Sequence, residues 1–481
     1  MAKVLIASIG NGAPLAAGKK EAADVHEHAY RPAKYYNAGS PNGNVYDTPL
    51  VSVALMKMYD IDEIILVGTA GSSWDSLYGY MFFERGSLPM RKDKNAKYDD
   101  EYHYRLLKMF NDSDNLQTRE TVDSTREILS QLKETIGDYC REIVVLEYGT
   151  TPDELLLNLN LLNQISNSLK DNDIIYFDIS HAFRSLPYYE LLAVNLAKSS
   201  SRVNVKIEMV SYGMFEASKL YDGKTPIVDM TQLIELLDWT RAVEEFNRYG
   251  KFDLFKELLG KENQIGKYIK EQISEVAWNA FEKMTNIMAS DIYMSDTKDN
   301  LKTMLYEAGA ALSNRNHYFD MPILISIKNV MKQVTDFFRP YNQSQSSLCV
   351  AFTLWKLQKE QTVLGAILLM DAIECMCLEI LGKNLYGKKA HKVIHEKLND
   401  YAYEYEKGNF DNAFFQNNHF KEFIKKFKIA RDHRNDVAHV DKPQSDKISK
   451  ELQETAEWVL DTYNERVEGK PGRTALQEAL K

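Results

Sequence analysis

Ile174-Ile175-Tyr176-Phe177-Asp178-Ile179-Ser180-His181 decides how the first half of this chain reads. Four apolar residues in succession, β-branched and aromatic, suit a strand covered on both faces. The run then breaks into a short polar loop. The same grammar recurs in Val4-Leu5-Ile6-Ala7 before Ser8-Ile9-Gly10-Asn11-Gly12, and in Ile64-Ile65-Leu66-Val67 before Gly68-Thr69-Ala70-Gly71-Ser72-Ser73. It recurs again in Ile143-Val144-Val145-Leu146 before Gly149-Thr150-Thr151, and in Val205-Lys206-Ile207-Glu208-Met209-Val210 before Tyr212-Gly213. Pro49 to Tyr59 and Pro152 to Leu169 read as helices between strands. Residues 1–235 are therefore expected to form an α/β Rossmann-like domain on a mostly parallel, doubly wound sheet. Residues from about 80 to 140, rich in charge and helix formers, read as a helical insertion or lengthened crossover.

After Leu236 the strand pattern fades and helical periodicity takes over. Leu237–Leu259 and Gln264–Met288 read as amphipathic helices, and Asp291 to Asp299 as a loop. The longest apolar helix is expected from about Ser346 to Leu381, ended by Gly382 as a C-cap. Residues 236–345 are taken as a helical linker region and 346–481 as an all-α C-terminal domain.

Composition narrows the function classes. A chain of 481 residues with 44% hydrophobic and 27% charged residues is of globular type and long enough for two or three domains. No stretch approaches the ~18 apolar residues of a membrane span, and Met1-Ala2-Lys3 leads into a strand rather than a cleavable leader. A cytoplasmic protein with no membrane partner is expected. The net charge of −10 argues against a protein that coats nucleic acid over its whole surface. Local charge still allows a nuclease: Lys388, Lys389 and His391, then Lys421, Lys425, Lys426, Lys428, Arg431 and Arg434, enrich the C-terminal part in cations. A solvated helix face explains those lysines equally well. Cys140, Cys349, Cys375 and Cys377 read as buried thiols, since residues two apart on a helix point about 200° from one another.

Arg431-Asp432-His433-Arg434-Asn435-Asp436-Val437-Ala438-His439 carries the most chemistry. Metal-free RNA scission needs a base for the 2′-hydroxyl, an acid for the departing 5′-oxygen, and positive charge on the phosphate. Histidine serves as acid or base near neutrality, and arginine offers a planar fork to phosphate. Five residues apart on a helix, Arg434 and His439 diverge by about 140°, whereas Asn435 is the facing neighbour of His439. A two-fold dimer would bring two arginines and two histidines into one cleft. The plain alternative is an exposed arginine and a packing histidine. His391 and His395 have metal-ligand spacing without the glutamate of a metalloprotease between them, so no metal is expected. Asn314-Arg315-Asn316-His317 sets Arg and His too close for the nuclease pattern. Gly10-Asn11-Gly12 is neither a dinucleotide fingerprint nor a phosphate-binding P-loop, which disfavours a nicotinamide enzyme.

The string Arg434-Asn435-Asp436-Val437-Ala438-His439 resembles the motif of HEPN ribonucleases. Asp178-Ile179-Ser180-His181-Ala182-Phe183-Arg184-Ser185-Leu186-Pro187 looks like the strand-end segment of CRISPR-associated Rossmann-fold (CARF) sensors, with Tyr212–Glu216 and Thr225–Thr231 in the same style. The chain thus resembles the CARF–HEPN ancillary ribonucleases of type III CRISPR systems. That resemblance implies a homodimer whose CARF domains bind a cyclic oligoadenylate. It implies a composite HEPN site that then cuts single-stranded RNA, leaving 2′,3′-cyclic phosphate ends. Arg434 and His439 would be the catalytic pair, Asn435 their support, and His433 a possible RNA contact. No cofactor is implied beyond the activator.

For the activator, the strand-end residues Gly10, Asn11, Thr69, Gly71, Ser72, Thr150, Asp178, Ser180, His181 and Arg184 are the candidate contacts. Small residues let backbone approach a ligand, and Arg184 could pair with phosphate. Asp178 would instead cap the following helix or fix Ser180 and His181. His181 is either a contact or a satisfied loop histidine. Tyr35, Tyr36, Tyr188 and Tyr189 could stack on adenines or pack in the core. A competing reading is a catalytically silent nucleotide-sensing regulatory protein.

Overall fold

The structure is a computed structural model. It describes residues 1–10, 13–14, 28–29, 33–83, 97–113, 119–181, 188–189, 191–192, 195–196, 204–261, 264–290, 301–313, 321–342, 344–383, 387–438, 446–463 and 471–481. The chain divides into two compact units, Met1–Leu233 and Ile234–Lys481.

The first unit is built on one eight-stranded sheet. Its strands are β1 (Lys3–Ser8), β2 (Ala33–Asn37), β3 (Tyr46–Thr48), β4 (Glu63–Thr69), β5 (Cys140–Leu146), β6 (Ile174–Asp178), β7 (Lys206–Gly213) and β8 (Lys224–Asp229). Across the sheet they run β3-β2-β8-β7-β6-β1-β4-β5. Five of them, from β7 through β6, β1 and β4 to β5, are mutually parallel, with Leu5 opposite both Ile64 and Tyr176. Val4, Leu5, Ile6 and Ala7 are all fully buried, which is why this strand shows no polar alternation. At the other flank β8 runs antiparallel to β7 and parallel to β2, and β3 closes the edge antiparallel to β2.

Helices α1 (Val51–Tyr59), α2 (Trp74–Phe83), α3 (Asp100–Ser113), α4 (Arg119–Ile136) and α5 (Pro152–Ser168) lie between strands. The three helices α2, α3 and α4 occupy the connection from β4 to β5, the stretch read as an insertion. At the strand starts, the nearly buried guanidinium of Arg141 in β5 pairs with Glu63 of β4 and with Asp173, just ahead of β6. It also donates to the carbonyl of Ser168 at 3.2 Å. This clamp ties together the edge of the sheet opposite the strand-end loops.

The second unit is helical throughout its described residues. Its helices are α6 (Thr231–Tyr249), α7 (Asp253–Leu259), α8 (Gln264–Gln272), α9 (Glu275–Met288), α10 (Leu301–Ser313), α11 (Pro322–Phe338), α12 (Gln345–Gln358), α13 (Thr362–Ile380), α14 (Lys388–Glu406), α15 (Asn418–Ala438), α16 (Asp446–Tyr463) and α17 (Pro471–Leu480). One apolar cluster runs through it from Trp239 to Leu480.

The single helix expected from 346 to 381 is instead a pair, α12 and α13. Lys359–Gln361 make the turn, with Glu360 in the left-handed region at φ 61°. Gly365 permits the return: a Cβ there would lie 2.4 Å from Leu357 Cδ2. An unbroken apolar pattern cannot announce such a break, because both helices of the hairpin are buried on most faces. Gly382 does end α13, at φ 63°. The expected helices 237–259 and 264–288 are likewise each divided, at Gly250 and at Ile273–Ser274. The expected loop at 291–299 lies outside the described residues.

Candidate functional site

Parallel pairing brings the carboxyl ends of β1, β4 and β6 side by side, and with them Gly10, Thr69, Gly71, Ser72, Asp178, Ser180 and His181. Ser72 Oγ accepts the N–H of Thr69 at 2.9 Å and donates to the carbonyl of Ile9 at 2.5 Å. The N–H of Ser73 donates to the carbonyl of Gly10 at 2.8 Å. The loops after β1 and β4 are thus fastened to each other before α2 begins. Trp74 closes the turn, its indole N–H donating to the carbonyl of Thr69 at 2.9 Å. Glycine is required at position 10, where a Cβ would lie 2.0 Å from the carbonyl oxygen of His181.

The β6 end is organised by a buried carboxylate. Asp178 Oδ1 accepts both the N–H of Ser180, at 3.1 Å, and its hydroxyl. Ser180 Oγ in turn accepts the N–H of Gly213 at 2.7 Å, which joins the loop after β6 to the end of β7. Burial pushes the Asp178 carboxyl up to about 6, partly offset by its bonds to Ser180. Its Oδ2 has no hydrogen-bond partner among the described residues, and neither do the buried hydroxyls of Thr69 and Ser73. His181 Nε2 accepts the N–H of Val51, in the first turn of α1, at 3.4 Å. Burial lowers this imidazole to about 4, so it is neutral at pH 7 and carries its proton on Nδ1.

Thr150 stands apart in role. Its N–H and hydroxyl both donate to Glu154 Oε2, at 2.7 and 2.9 Å, while Thr151 Oγ1 accepts the N–H of Glu154 at 3.2 Å. The pair therefore caps α5, and these bonds hold the Glu154 carboxyl below its usual range. Asn11 and Arg184 lie outside the described residues. Tyr35 and Tyr36 are buried, Tyr189 nearly so, and Tyr188 is exposed. Ser73 and Gly213 join the strand-end group without having been singled out as contacts. Their positions in Gly71-Ser72-Ser73 and Tyr212-Gly213 were the available signal.

In the second unit, Arg434 and Asn435 are exposed on the last turns of α15, with Arg434 Nη1 donating to Asn435 Oδ1 at 3.3 Å. Other cations of this helix are neutralised. Lys428 pairs with Asp432 at 2.5 Å and Glu406 at 3.5 Å, and Arg431 pairs with the same two carboxylates. Arg434 has no carboxylate within ion-pair distance among the described residues. His433 turns to α16, where Nε2 meets Glu451 Oε2 at 2.6 Å. His439 and Arg315–His317 lie outside the described residues. His391 and His395 both bond one carboxylate, Glu374, and no group of three metal-ligating side chains is assembled among the described residues. The four cysteines are buried and none is in a disulfide. No helix among the described residues is long and apolar enough to cross a membrane.

Residues 4–216 match the family model described as CRISPR system endoribonuclease Csx1, CARF domain. Over that stretch, less than half of the chain, the sequence is similar to a CARF domain. The CRISPR-associated protein MJ1674 of Methanocaldococcus jannaschii is 28% identical over 287 residues, covering 58% of this chain. The matched stretch spans 41% of that relative's own length. Among solved structures, Enterococcus italicus Csm6 bound to cyclic hexa-2′-fluoro-hexa-dAMP aligns over 99% of both chains at 10% identity. The TM-score of that overlay is 0.32.

Proposed function

We propose that this chain is a cyclic-oligoadenylate-activated, metal-independent endoribonuclease that cleaves single-stranded RNA in type III CRISPR antiviral defence. In this reading the first unit is a Rossmann-like sensor and the second contains a HEPN nuclease. One observation carries it: a segment similar to the Csx1 CARF domain and a helix whose last turns carry Arg434, exposed and outside any ion pair among the described residues, five residues before His439 in sequence, occur in one chain. The five parallel strands with loops at their carboxyl ends support the sensor half, because ligands of such sheets bind beyond that edge. Buried, unpartnered oxygens on Thr69, Ser73 and Asp178 favour a polar ligand there.

A homodimer is part of the proposal. Leu155, Leu156 and Leu159 of α5 are exposed, as are Tyr188, Leu192 and Leu196 at four-residue spacing. Large apolar side chains left in water over such a surface are suited to a second copy.

In the reaction, His439 takes the 2′-hydroxyl proton and the 2′-oxygen attacks phosphorus. Arg434 stabilises the charge growing on the phosphate, and Asn435 holds the guanidinium through its side-chain oxygen. Departure of the 5′-oxygen leaves a 2′,3′-cyclic phosphate. A ribonuclease assay run against a panel of cyclic oligoadenylates, tetra- and hexa-adenylate included, tests the reading. Cleavage that depends on one ring size is expected. Binding of a ring without any RNA cleavage would favour a silent sensor instead.

A further inference from the structure

The connection from β7 to β8 leaves Met214, Phe215, Leu220 and Tyr221 exposed, Phe215 at 44% and Leu220 at 81%. The backbone beneath these apolar side chains is firmly held. The N–H of Met214 donates to the carbonyl of Pro226 at 2.9 Å, and that of Ala217 to the carbonyl of Met214 at 3.0 Å. Phe215–Leu220 form a short 3-10 helix, and the carbonyl of Ser218 accepts the N–H groups of Tyr221 and Gly223 at 3.2 and 3.0 Å. The N–H of Lys224 then closes a tight turn onto the carbonyl of Tyr221 at 2.9 Å, with Asp222 and Gly223 both at positive φ, 52° and 76°. Tyr36 of β2 meets the ring of Tyr221 edge-on, with centroids 6.3 Å apart. An apolar surface on so well-bonded a backbone is preorganised for something to cover it.

Its place ties it to the strand-end group. Gly213, the last residue of β7, donates its N–H to Ser180 Oγ at 2.7 Å. A Cβ on Gly213 would lie 2.8 Å from Val51 Cγ2 and 3.3 Å from Ser180 Oγ, so this end of β7 is packed into the loop after β6. Phe215 follows two residues later, within about 7 Å of Gly213 along the chain. Gly213 pairs with Ile227, and β8 begins three residues before that, at Lys224. At the usual rise per residue, the β8 side of the connection reaches about 10 Å beyond the end of β7. An apolar flank therefore stands next to the strand-end loops.

The two surfaces are complementary in kind. The strand-end group offers buried, unpartnered oxygens on Thr69, Ser73 and Asp178, which suit the polar groups of a ligand. The aromatic rings nearest to it in sequence, Tyr35, Tyr36 and Trp74, are buried and have no face to give. Tyr188 is exposed, but it stands with Leu192 and Leu196 on the surface assigned to a second copy. The β7–β8 connection supplies the missing aromatic face. Its charges cancel, Glu216 and Asp222 against Lys219 and Lys224, so it attracts neither phosphate nor a strongly charged partner. A flat, uncharged group with a π face is what it fits, and a purine base is such a group.

We propose that Phe215 is a base-recognition residue of the sensor and stacks on an adenine of the cyclic oligoadenylate. The proposal rests on the sensor reading above and adds a division of labour to it. The strand-end loops hold the sugar–phosphate ring, and the β7–β8 connection holds a base.

The test is the affinity of the full-length protein for cyclic tetra- and hexa-adenylate, measured by titration calorimetry at several salt concentrations. Wild type, Phe215→Ala, Phe215→Leu and Phe215→Trp are compared, with melting temperature and light scattering alongside. Loss of one stacked base should weaken binding roughly 5- to 150-fold in Phe215→Ala. Phe215→Leu keeps apolar area without a ring face and should weaken binding nearly as much, whereas Phe215→Trp should bind at least as tightly as wild type. The slope of log affinity against log salt should stay unchanged in every variant, because no phosphate contact is removed. Phe215→Leu at wild-type affinity overturns the assignment, as does a salt slope that falls together with affinity. A variant that changes the size of the assembly but keeps its affinity makes the connection a contact between copies and overturns it too. Wild-type protein that binds neither ring overturns the sensor reading and this one together, whereas a wild type that binds confines failure to Phe215.

Discussion

His181 accepts the backbone N–H of Val51 at its Nε2, 3.4 Å away, so the loop after β6 is fastened to the first turn of α1 by a neutral imidazole. Asp178, three residues earlier, is buried with a carboxyl pushed up to about 6. The two groups give opposite pH dependence. Asp178 titrates above its ordinary 3.8 when folded, so it adds stability as pH falls from about 6 toward 3.8. His181 titrates at about 4 rather than 6.5, so its stability is intact above 6.5 and is lost as pH falls to about 4. The two shifts overlap between about pH 6 and 4 and act in opposite directions there. Asp178→Asn removes the gain and leaves the loss. Denaturant unfolding followed in the first unit at pH 7, 5.5 and 4.5 should show the variant weakening with acid more steeply than wild type. A variant no more sensitive to acid than wild type would mean that His181 is not held neutral by burial.

The exposed leucines of the first unit make the proposed dimer testable without touching either site. Leu156 is 62% exposed and Leu192 49%, so a charge at either position leaves the core intact. Leu156→Glu together with Leu192→Glu should convert a dimer to a monomer by light scattering, with an unchanged melting profile of the isolated chain. Because the proposed nuclease site takes residues from two copies, RNA cleavage should fall at least tenfold at equal chain concentration. A double variant that remains dimeric would place the interface elsewhere.

These cases also show how far the residues alone carry the fold. The five central strands were legible because burial on both faces leaves an unbroken apolar run. Tyr176-Phe177 and Val4-Leu5 have no polar side to disguise them. The flank strands β2, β3 and β8 were missed because they are short and broken in pattern. Lys34 is exposed between buried Ala33 and Tyr35, and β8 begins Lys224-Thr225-Pro226. Only pairing with β7 and β2 makes β8 a strand, and a linear pattern carries no information about that. The turn at Lys359–Gln361 was hidden for the opposite reason, since apolar residues continue on both sides of it. At the candidate sites, residue identity marked the strand-end loops and Arg434. It could not show that Thr150 is engaged in capping α5, nor that Glu374 draws in His391 and His395 from another helix.

Arg184 tests the sensor half. In sequence it follows Ser180, whose N–H donates to Asp178 and whose hydroxyl accepts the N–H of Gly213, and His181, whose ring accepts the N–H of Val51. A guanidinium there would pair with a phosphate of the ring. Arg184→Ala should raise the activator concentration for half-maximal RNA cleavage about tenfold, equivalent to about 1.4 kcal/mol, with the maximal rate preserved. An unchanged dose response would remove Arg184 from ligand binding.

Metal dependence discriminates the proposed chemistry from hydrolysis by a bound ion. Imidazole and guanidinium groups supply proton transfer and charge stabilisation in the proposed site, so no cation has to be recruited for either step. Cleavage with EDTA in excess should stay within about twofold of the untreated rate, a difference of about 0.4 kcal/mol in the barrier. Activity that disappears with chelator and returns with one divalent metal would overturn this assignment.

The nuclease pair itself gives the most direct test. Arg434 is exposed on the final turns of α15 with no carboxylate within ion-pair distance among the described residues, while neighbouring Lys428 and Arg431 are neutralised by Glu406 and Asp432. Loss of a general base is expected to cost 10² to 10⁴ in rate, roughly 3 to 5 kcal/mol of barrier. His439→Ala should therefore reduce single-turnover cleavage by at least 100-fold while leaving activator binding and dimerisation intact. Arg434→Lys keeps the charge but not the planar fork, so it should recover only part of the activity lost in Arg434→Ala. Full recovery by lysine would mean that charge alone is needed at position 434. Undiminished cutting by purified His439→Ala, at any pH where the wild type is active, would show that the 2′-hydroxyl proton leaves by another route.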